Sequence, residues 1–405
     1  MTMSTSTELP IDIINFIMVI AVGALDAQSV SSIALLSHHF RIVANKQRFS
    51  DLTFYGRPIR NKIHVFATLI EESAGYESMR GIHTFITSIN LDIPNTCDAD
   101  KLQPYTTIFK HLFRHDAVLC TPIRAMSLSM YNVAKLLSMD PALDISLRSL
   151  LRESHINFLE LFQSFCVPCD LLQGSKLEHI SLLGVSILSK YPVIEKLEPV
   201  YLKSLSVTWY SHPQFEIINL MELFGAHEAG HFSNLTSLTI STSSGDFAND
   251  LLKLSPRLET LTLNFSEGLN EGRHIPPGTS RVHLIGYSLP SHLENLSIYM
   301  RFRDHVESTL NGPDDGLLDA DILLKEAVSW DEHLHSLLCG KEDHLHLVPQ
   351  VTVRLVRQFE EKTYKSSIWE DCWRRRFTDA FSRCQTSVVN FFLYIDTVSI
   401  AYDSD

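Results

Sequence analysis

Three groups of residues in this sequence have the types and spacing to do chemistry. The first is His227, Glu228, Ala229, Gly230 and His231, which spell H-E-x-x-H. On a helix the two histidines fall one turn apart and can share a zinc ion, with Glu228 as general base. That would make the chain a zinc metallopeptidase. The neighbouring residues oppose this. Gly225 and Gly230 flank and interrupt the helix that the motif needs. Gly230 suits the C-cap of a helix starting near Phe215, which leaves His231 outside it. Leu235 opens a strand pattern four residues later, and Ser237 stands where a metzincin would place its third ligand. With 19 His in the chain, a chance match is ordinary.

The second group is His333, His335, Cys339, His344 and His346. Its ligand types suit zinc or copper, but the spacing matches no zinc finger, and an acid-flanked solvated segment is the plainer reading. The third is Cys166-Val-Pro-Cys169, a lone C-x-x-C without a second pair. No G-x-S-x-G, P-loop or G-x-G-x-x-G is found. No metal, cofactor or catalytic residue is therefore expected, and the chain reads as a binding protein rather than an enzyme.

Composition narrows the partners. The chain has 405 residues, 45% of them apolar, and a formal charge of −13. An acidic balance argues against nucleic acid and anionic membrane surfaces, both of which select basic faces. The seven Cys are odd in number and scattered, which suits a reducing compartment, cytoplasm or nucleus. The most apolar run, Ile11 to Leu25, is interrupted by Asp12 and Asn15 and is too short to span a bilayer.

The elements that must position any binding residue are read from a recurring hexamer. L-T-S-L-T-I at Leu235 and L-E-T-L-T-L at Leu258 are apolar at positions one, four and six. Positions four and six lie two apart, the side-chain period of a strand. Clear copies also start at Leu177, Leu202 and Leu293; looser ones start at Phe49, Ile86, Ile123, Ile156, Val348 and Val389. Some of the looser copies are expected to be accidents of an apolar composition. Successive starts from 49 to 293 differ by 37, 37, 33, 21, 25, 33, 23 and 35 residues. One strand cannot bury its face alone, whereas stacked copies can. Helical patterns fall between them, near Phe215 to Phe224 and Phe247 to Leu254. The expectation is an α/β fold: an irregular leucine-rich-repeat-like solenoid with parallel strands on its concave face. Loops are expected at Glu267–Thr279 and Asn311–Asp321. A helix is expected over Ile322–Leu338, and Val388–Ile395 is read as a closing strand.

Between the apolar positions lie Ser204, Ser206, Ser237, Thr239, Thr260, Thr262, Asn295 and Ser297, followed by Tyr299. They form a polar, nearly uncharged face that can bind a folded protein through hydrogen bonds and aromatic anchors.

The N-terminal part is different. After a Ser/Thr-rich lead expected to be disordered, Leu9-Pro10 opens a helical pattern with Ile13, Ile14, Ile17 and Ile20 in one stripe. Asp26 suits the N-cap of a second helix, and a third piece runs through Arg41 to Arg48. L-P-I-D-I-I-N-F-I, D-A-Q-S-V-S-S-I-A-L-L-S-H-H-F-R and R-F-S-D-L-T-F together resemble an F-box as found in fungal F-box proteins. The resemblance covers roughly residues 8–54. It implies docking on the Skp-type adaptor of a cullin–RING ubiquitin ligase through Leu9, Pro10, Ile13, Ile14, Ile17, Leu36 and Phe40, with Phe40 standing where the family usually has Trp. It implies four segments: 1–8 as lead, 9–48 as F-box-like helical module, 49–310 as repeat array, and 311–405 as C-terminal repeats and cap. The chain would then be the substrate-recognition subunit of an SCF-type ligase, carrying an unknown target on the repeats. The rival readings are a repeat scaffold without a ligase link, or the zinc peptidase through His227, Glu228 and His231.

Overall fold

At every copy of the apolar hexamer before the last, a strand begins at the third residue. A computed structural model describes residues 11–55, 60–74, 81–96, 98–112, 123–188, 200–208, 217–224, 232–241, 245–266, 289–303, 315–339, 349–360, 367–388 and 390–400. The chain divides into two units, Met1–Glu160 and Leu161–Asp405, and its architecture is mixed α/β around parallel strands.

The first unit opens with helices α1 (Ile11–Ala24), α2 (Ala27–Ala34) and α3 (His38–Phe49). Strand β1 (Asp51–Phe54), helix α4 (Arg60–Ala74) and a 3₁₀ turn at Ile82–Phe85 follow. Then come β2 (Ser88–Ile93), α5 (Ala99–Leu112), β3 (Ala125–Met130), α6 (Val133–Met139) and α7 (Pro141–Glu153). Strand β4 (Phe158–Phe162) closes this unit and runs into the next. β1, β2 and β3 pair in parallel, with Asp51 opposite Ser88 and Ser88 opposite Ala125.

The second unit contains β5 (Val167–Pro168), β6 (His179–Leu183), β7 (Ile187–Leu188), β8 (Ser204–Thr208), α8 (Ile217–Leu223) and β9 (Ser237–Ser241). It continues with α9 (Gly245–Lys253), β10 (Thr260–Ser266), β11 (Asn295–Arg303), α10 (Asp315–Cys339) and β12 (Gln350–Glu360). Helices α11 (Ser367–Ala380) and α12 (Ser382–Ser387) and strand β13 (Phe391–Ile400) complete it. Its main sheet runs β6-β8-β9-β10-β11-β12-β13, each pair parallel, while β5 and β7 form a separate two-stranded ribbon.

The register explains why the hexamer works. Ile180, Leu205, Leu238, Leu261, Leu296 and Val351 stand opposite one another in consecutive strands. All are buried, as is the parallel row Leu182, Val207, Ile240, Leu263, Ile298 and Val353. Position one also turns inward, just before the strand: Leu177, Leu202, Leu235, Leu258 and Leu293 are fully buried. Each such Leu contributes about 1.5–3 kcal/mol of transfer free energy. Of the six looser copies, only the last is an accident of the apolar composition, fewer than the sequence expectation allowed. Phe49, Ile86, Ile123, Ile156 and Val348 each precede a strand by the same two residues as the clear copies. Only the last copy is out of frame. Val351 pairs with Phe391, so the pattern starts at buried Val388 rather than at Val389.

The backbone repeats as well. In most steps the carbonyl at position two of one copy accepts both N–H groups at positions two and three of the next; Glu294 O accepts only from Gln350, because Pro349 has no N–H. Ser50 O accepts from Thr87 and Ser88, and Thr87 O from Arg124 and Ala125; Lys203 O accepts from Thr236 and Ser237, and Glu259 O from Glu294 and Asn295. The Thr87 and Thr236 hydroxyls donate to the same carbonyls, at 3.0 and 3.2 Å.

Connections carry the remaining helices. Asn132 Oδ1 caps α6 through the Lys135 N–H at 3.1 Å, and Asp140 Oδ1 caps α7 through Ala142 and Leu143 at 3.0 Å each. Between β4 and β6 no helix forms. Gln163 and Cys166 adopt left-handed φ there, at 46° and 53°, and fold the segment into a buried turn. Helix α10 begins at Asp315, inside the span expected to be a loop. Helix α8 ends at Leu223, not near Gly230.

Candidate docking surfaces

The N-terminal helices show how a short segment can hold a shape and still leave apolar surface outside. Asp26 accepts the Ser29 N–H at 2.8 Å and the Ser29 hydroxyl at 3.2 Å, which starts α2. Those bonds hold the Asp26 carboxyl below its ordinary range, the Ser29 backbone N–H contributing most. Ser37 caps α3 by accepting the Phe40 N–H at 3.1 Å. Arg41 Nε donates to Ala34 O at 3.4 Å, and Arg48 reaches the Ser31 hydroxyl, so α3 is tied to α2.

The core that these bonds enclose is small. Val22, Val30, Ala34 and Ala44 are buried, with Met18 and Val43 packed against them. On α1, therefore, Met18 and Val22 turn inward, whereas Ile17 and Ile20 of the expected stripe do not. Phe16 is 67% exposed, and Ile17, Val19 and Ile20 are all exposed. At the α2–α3 turn Leu35 is 79% and Leu36 71% exposed. Large apolar side chains this open and this close in sequence are candidates for a partner surface. Of the residues expected to dock, Ile17 and Leu36 are exposed, while Ile14 and Phe40 are half-buried. Ile13 lies in α1, and Leu9 and Pro10 lie outside the described residues. Leu35, Phe16 and Val19 were missed by sequence reasoning; helical spacing alone does not reveal which side of an apolar helix meets the core.

The second surface is the outward side of the sheet in the Leu161–Asp405 unit. The register sets Ser204, Ser237, Thr260 and Asn295 in one row, and Ser206, Thr239, Thr262 and Ser297 in the next. All eight are half-buried, as expected for short side chains on closely spaced strands. A third row, Thr208, Ser241, Asn264, Tyr299, Arg354 and Tyr394, becomes larger toward the last strands. Arg354 donates through Nε to Asp396, and this bond holds its guanidinium above the ordinary range. The register thus brings the uncharged polar residues into rows, with Tyr299, read as an aromatic anchor, joined by Arg354 and Tyr394, which the hexamers did not announce.

Among the described residues, those with catalytic or metal-binding types do not assemble. His227, Glu228 and His231 lie outside the described residues, as do His344 and His346. His333 and His335 are half-buried on α10, and Trp330 meets the His333 ring edge-on at 6.5 Å. Cys166 donates its N–H to the Ser186 hydroxyl at 2.9 Å, and Cys169 is buried; neither is in a disulfide. Among the described residues no group of three His, Cys, Asp or Glu could hold a metal ion. No described helix is long and apolar enough to cross a membrane.

One buried carboxylate has a structural task. Asp331, 2% exposed on α10, accepts the Arg383 and Cys384 N–H groups at 3.1 and 2.8 Å and so caps α12.

No protein-family model matches this chain, and no curated protein matches it.

Proposed function

We propose that this chain is the substrate-recognition subunit of an SCF-type cullin–RING ubiquitin ligase. In this reading α1–α3 form an F-box-like module that docks on the Skp-type adaptor. The strands form a leucine-rich-repeat-like solenoid whose polar rows hold the target protein. Its action is proximity rather than chemistry. It keeps a lysine of the target near a ubiquitin-loaded enzyme, where effective concentration sets the rate. The cytoplasm or nucleus is where such a complex would work.

The observation that carries the reading is the α1–α2 surface. Phe16, Ile17, Val19, Ile20, Leu35 and Leu36 stay exposed beside a core of four buried side chains. A segment this short cannot cover so much apolar area by itself, and a hydrophobic partner groove would. The resemblance carried by Ile13, Ile14, Ile17, Leu36 and Phe40 names that partner as the adaptor.

The test is co-purification of the full chain with a Skp-type adaptor. Wild type should form a one-to-one complex. Ile17→Asp with Leu36→Asp should lose it while retaining the wild-type circular dichroism and melting temperature, because both side chains point to solvent. A wild-type chain that fails to bind the adaptor, or a double variant that binds it normally, would sink the proposal.

A further inference from the structure

Strand β13 ends the sheet order of its unit, and among the described residues no strand pairs with its far side. It is ten residues long, F-F-L-Y-I-D-T-V-S-I, with Asp396 its only charged residue and no proline. A long, apolar, uninterrupted edge is the kind that natural sheets normally blunt with charge, proline or brevity. β1, at the end of its own sheet order, is blunted in that way: it has four residues and starts with Asp51.

Burial shows the same asymmetry on the core side. Val351, Val353 and Leu355 of β12 are fully buried. Their register partners Phe391, Leu393 and Ile395 of β13 are only half-buried. On the opposite side Phe392 is 43% and Tyr394 51% exposed. Asp396 is already neutralised by Arg354 of β12. The edge therefore has unsatisfied apolar area on both faces and no net charge to repel a copy of itself.

The backbone directions are fixed by one bond. Val351 N–H donates to Asn390 O at 2.9 Å, so Asn390, Phe392, Tyr394 and Asp396 turn their backbone groups to β12. Leu393, Ile395 and Thr397 turn theirs to the open edge.

We infer that β13 is a homodimerisation edge, pairing antiparallel with β13 of a second copy about a two-fold axis at Ile395. Residues on one face must meet residues on the same face, so the axis falls on a residue and not between two. At Ile395 the pairs are Leu393 with Thr397, Tyr394 with Asp396 and Phe392 with Val398, each made twice. No like charges meet, and nine residues of each strand are paired. This gives about ten N–H···O bonds, the number a standard-size interface carries. One edge per chain closes the assembly at two copies. The inference is independent of the ligase proposal.

The test is the mass of the full chain in solution at roughly 1–100 µM, by sedimentation equilibrium. Wild type should shift toward twice 46.0 kDa as concentration rises. Thr397→Pro should be monomeric with unchanged circular dichroism, since it removes an edge N–H and leaves the β12 ladder intact. Tyr394→Glu places a carboxylate opposite Asp396 of the second copy, twice. It should weaken the dimer by tenfold or more, whereas Tyr394→Lys should not. These two variants decide the matter if Thr397→Pro fails to fold. Ile395→Cys, oxidised with copper–phenanthroline, should cross-link at the substituted position, since a hydrogen-bonded pair spaces its Cα atoms at about 5.5 Å. A wild-type monomer throughout the range, an open-ended ladder of species, or equal dimerisation by Tyr394→Glu and Tyr394→Lys would overturn the inference.

Discussion

The row of leucines through the sheet makes a quantitative prediction. Leu238 and Leu261 are register partners on β9 and β10, and neither side chain is exposed to solvent. Replacing either with Ala removes buried methyl groups and leaves a cavity between two neighbours held by their own strands. Large-to-small changes at such sites cost about 2–5 kcal/mol. The two sites share a wall, so the double variant should merge two cavities and depart from additivity by about 0.5–3 kcal/mol. Ile180 on β6 and Leu296 on β11 belong to the same row but lie four strand spacings apart, about 19 Å. Their Ala variants should add to within about 0.3–0.5 kcal/mol. Urea unfolding of the full chain by far-ultraviolet circular dichroism reads both cycles. Native-state hydrogen exchange at residues 261 and 296 reports whether the loss is local. The reasoning fails if the adjacent pair is additive while the distant pair couples, or if any of the four single variants costs less than about 1 kcal/mol.

Two further predictions concern caps. Asp331→Ala strips the buried Cys384 N–H and the part-buried Arg383 N–H of α12 of their acceptor and should cost about 1–3 kcal/mol. Asp331→Asn keeps one acceptor oxygen and should cost less, as thermal melts would show. Asp26→Ala should lower the stability of the N-terminal helices at neutral pH, measured by hydrogen exchange across α2. Its carboxyl is depressed in the folded state, so its contribution is complete above the unfolded value and disappears as pH falls through the folded one. Wild type and Asp26→Ala should therefore converge in acid, and an unchanged gap at pH 2 would contradict this.

The strands were legible from sequence because their signal is doubled. A position-one residue must turn inward before the strand, and positions four and six must then alternate. Met126 and Leu128 satisfy that as well as Leu238 and Ile240 do, so even the looser copies are strands. The exception is instructive. Val388-Val389-Asn390-Phe391-Phe392 offers two apolar frames, and only pairing with Val351 selects one. Helices α4 to α7 were not named, although α5 buries Leu102, Tyr105, Ile108 and Phe109 and α7 buries Leu143, Leu147, Leu150 and Leu151 at helical spacing; the starts of α6 and α7 are set by the single caps Asn132 and Asp140. The direction of the α1 stripe was illegible for a different reason. That helix is apolar on nearly every side, and Val30, Ala34, Val43 and Ala44, on other helices, are what Met18 and Val22 face. Asp331 finds its partners some fifty residues away, a pairing that local reading cannot reach.

The shared carbonyl at a hexamer's second residue separates two problems that most sheets must solve together. Where it is present, alignment is decided by a clamp one residue before the rung, so the excursion that follows is free to be long or short. Connections as different as the 23-residue step from Leu235 to Leu258 and the 37-residue step from Phe49 to Ile86 return the chain to the same phase. Grafting new segments into these excursions should therefore alter what the molecule displays without disturbing the scaffold underneath.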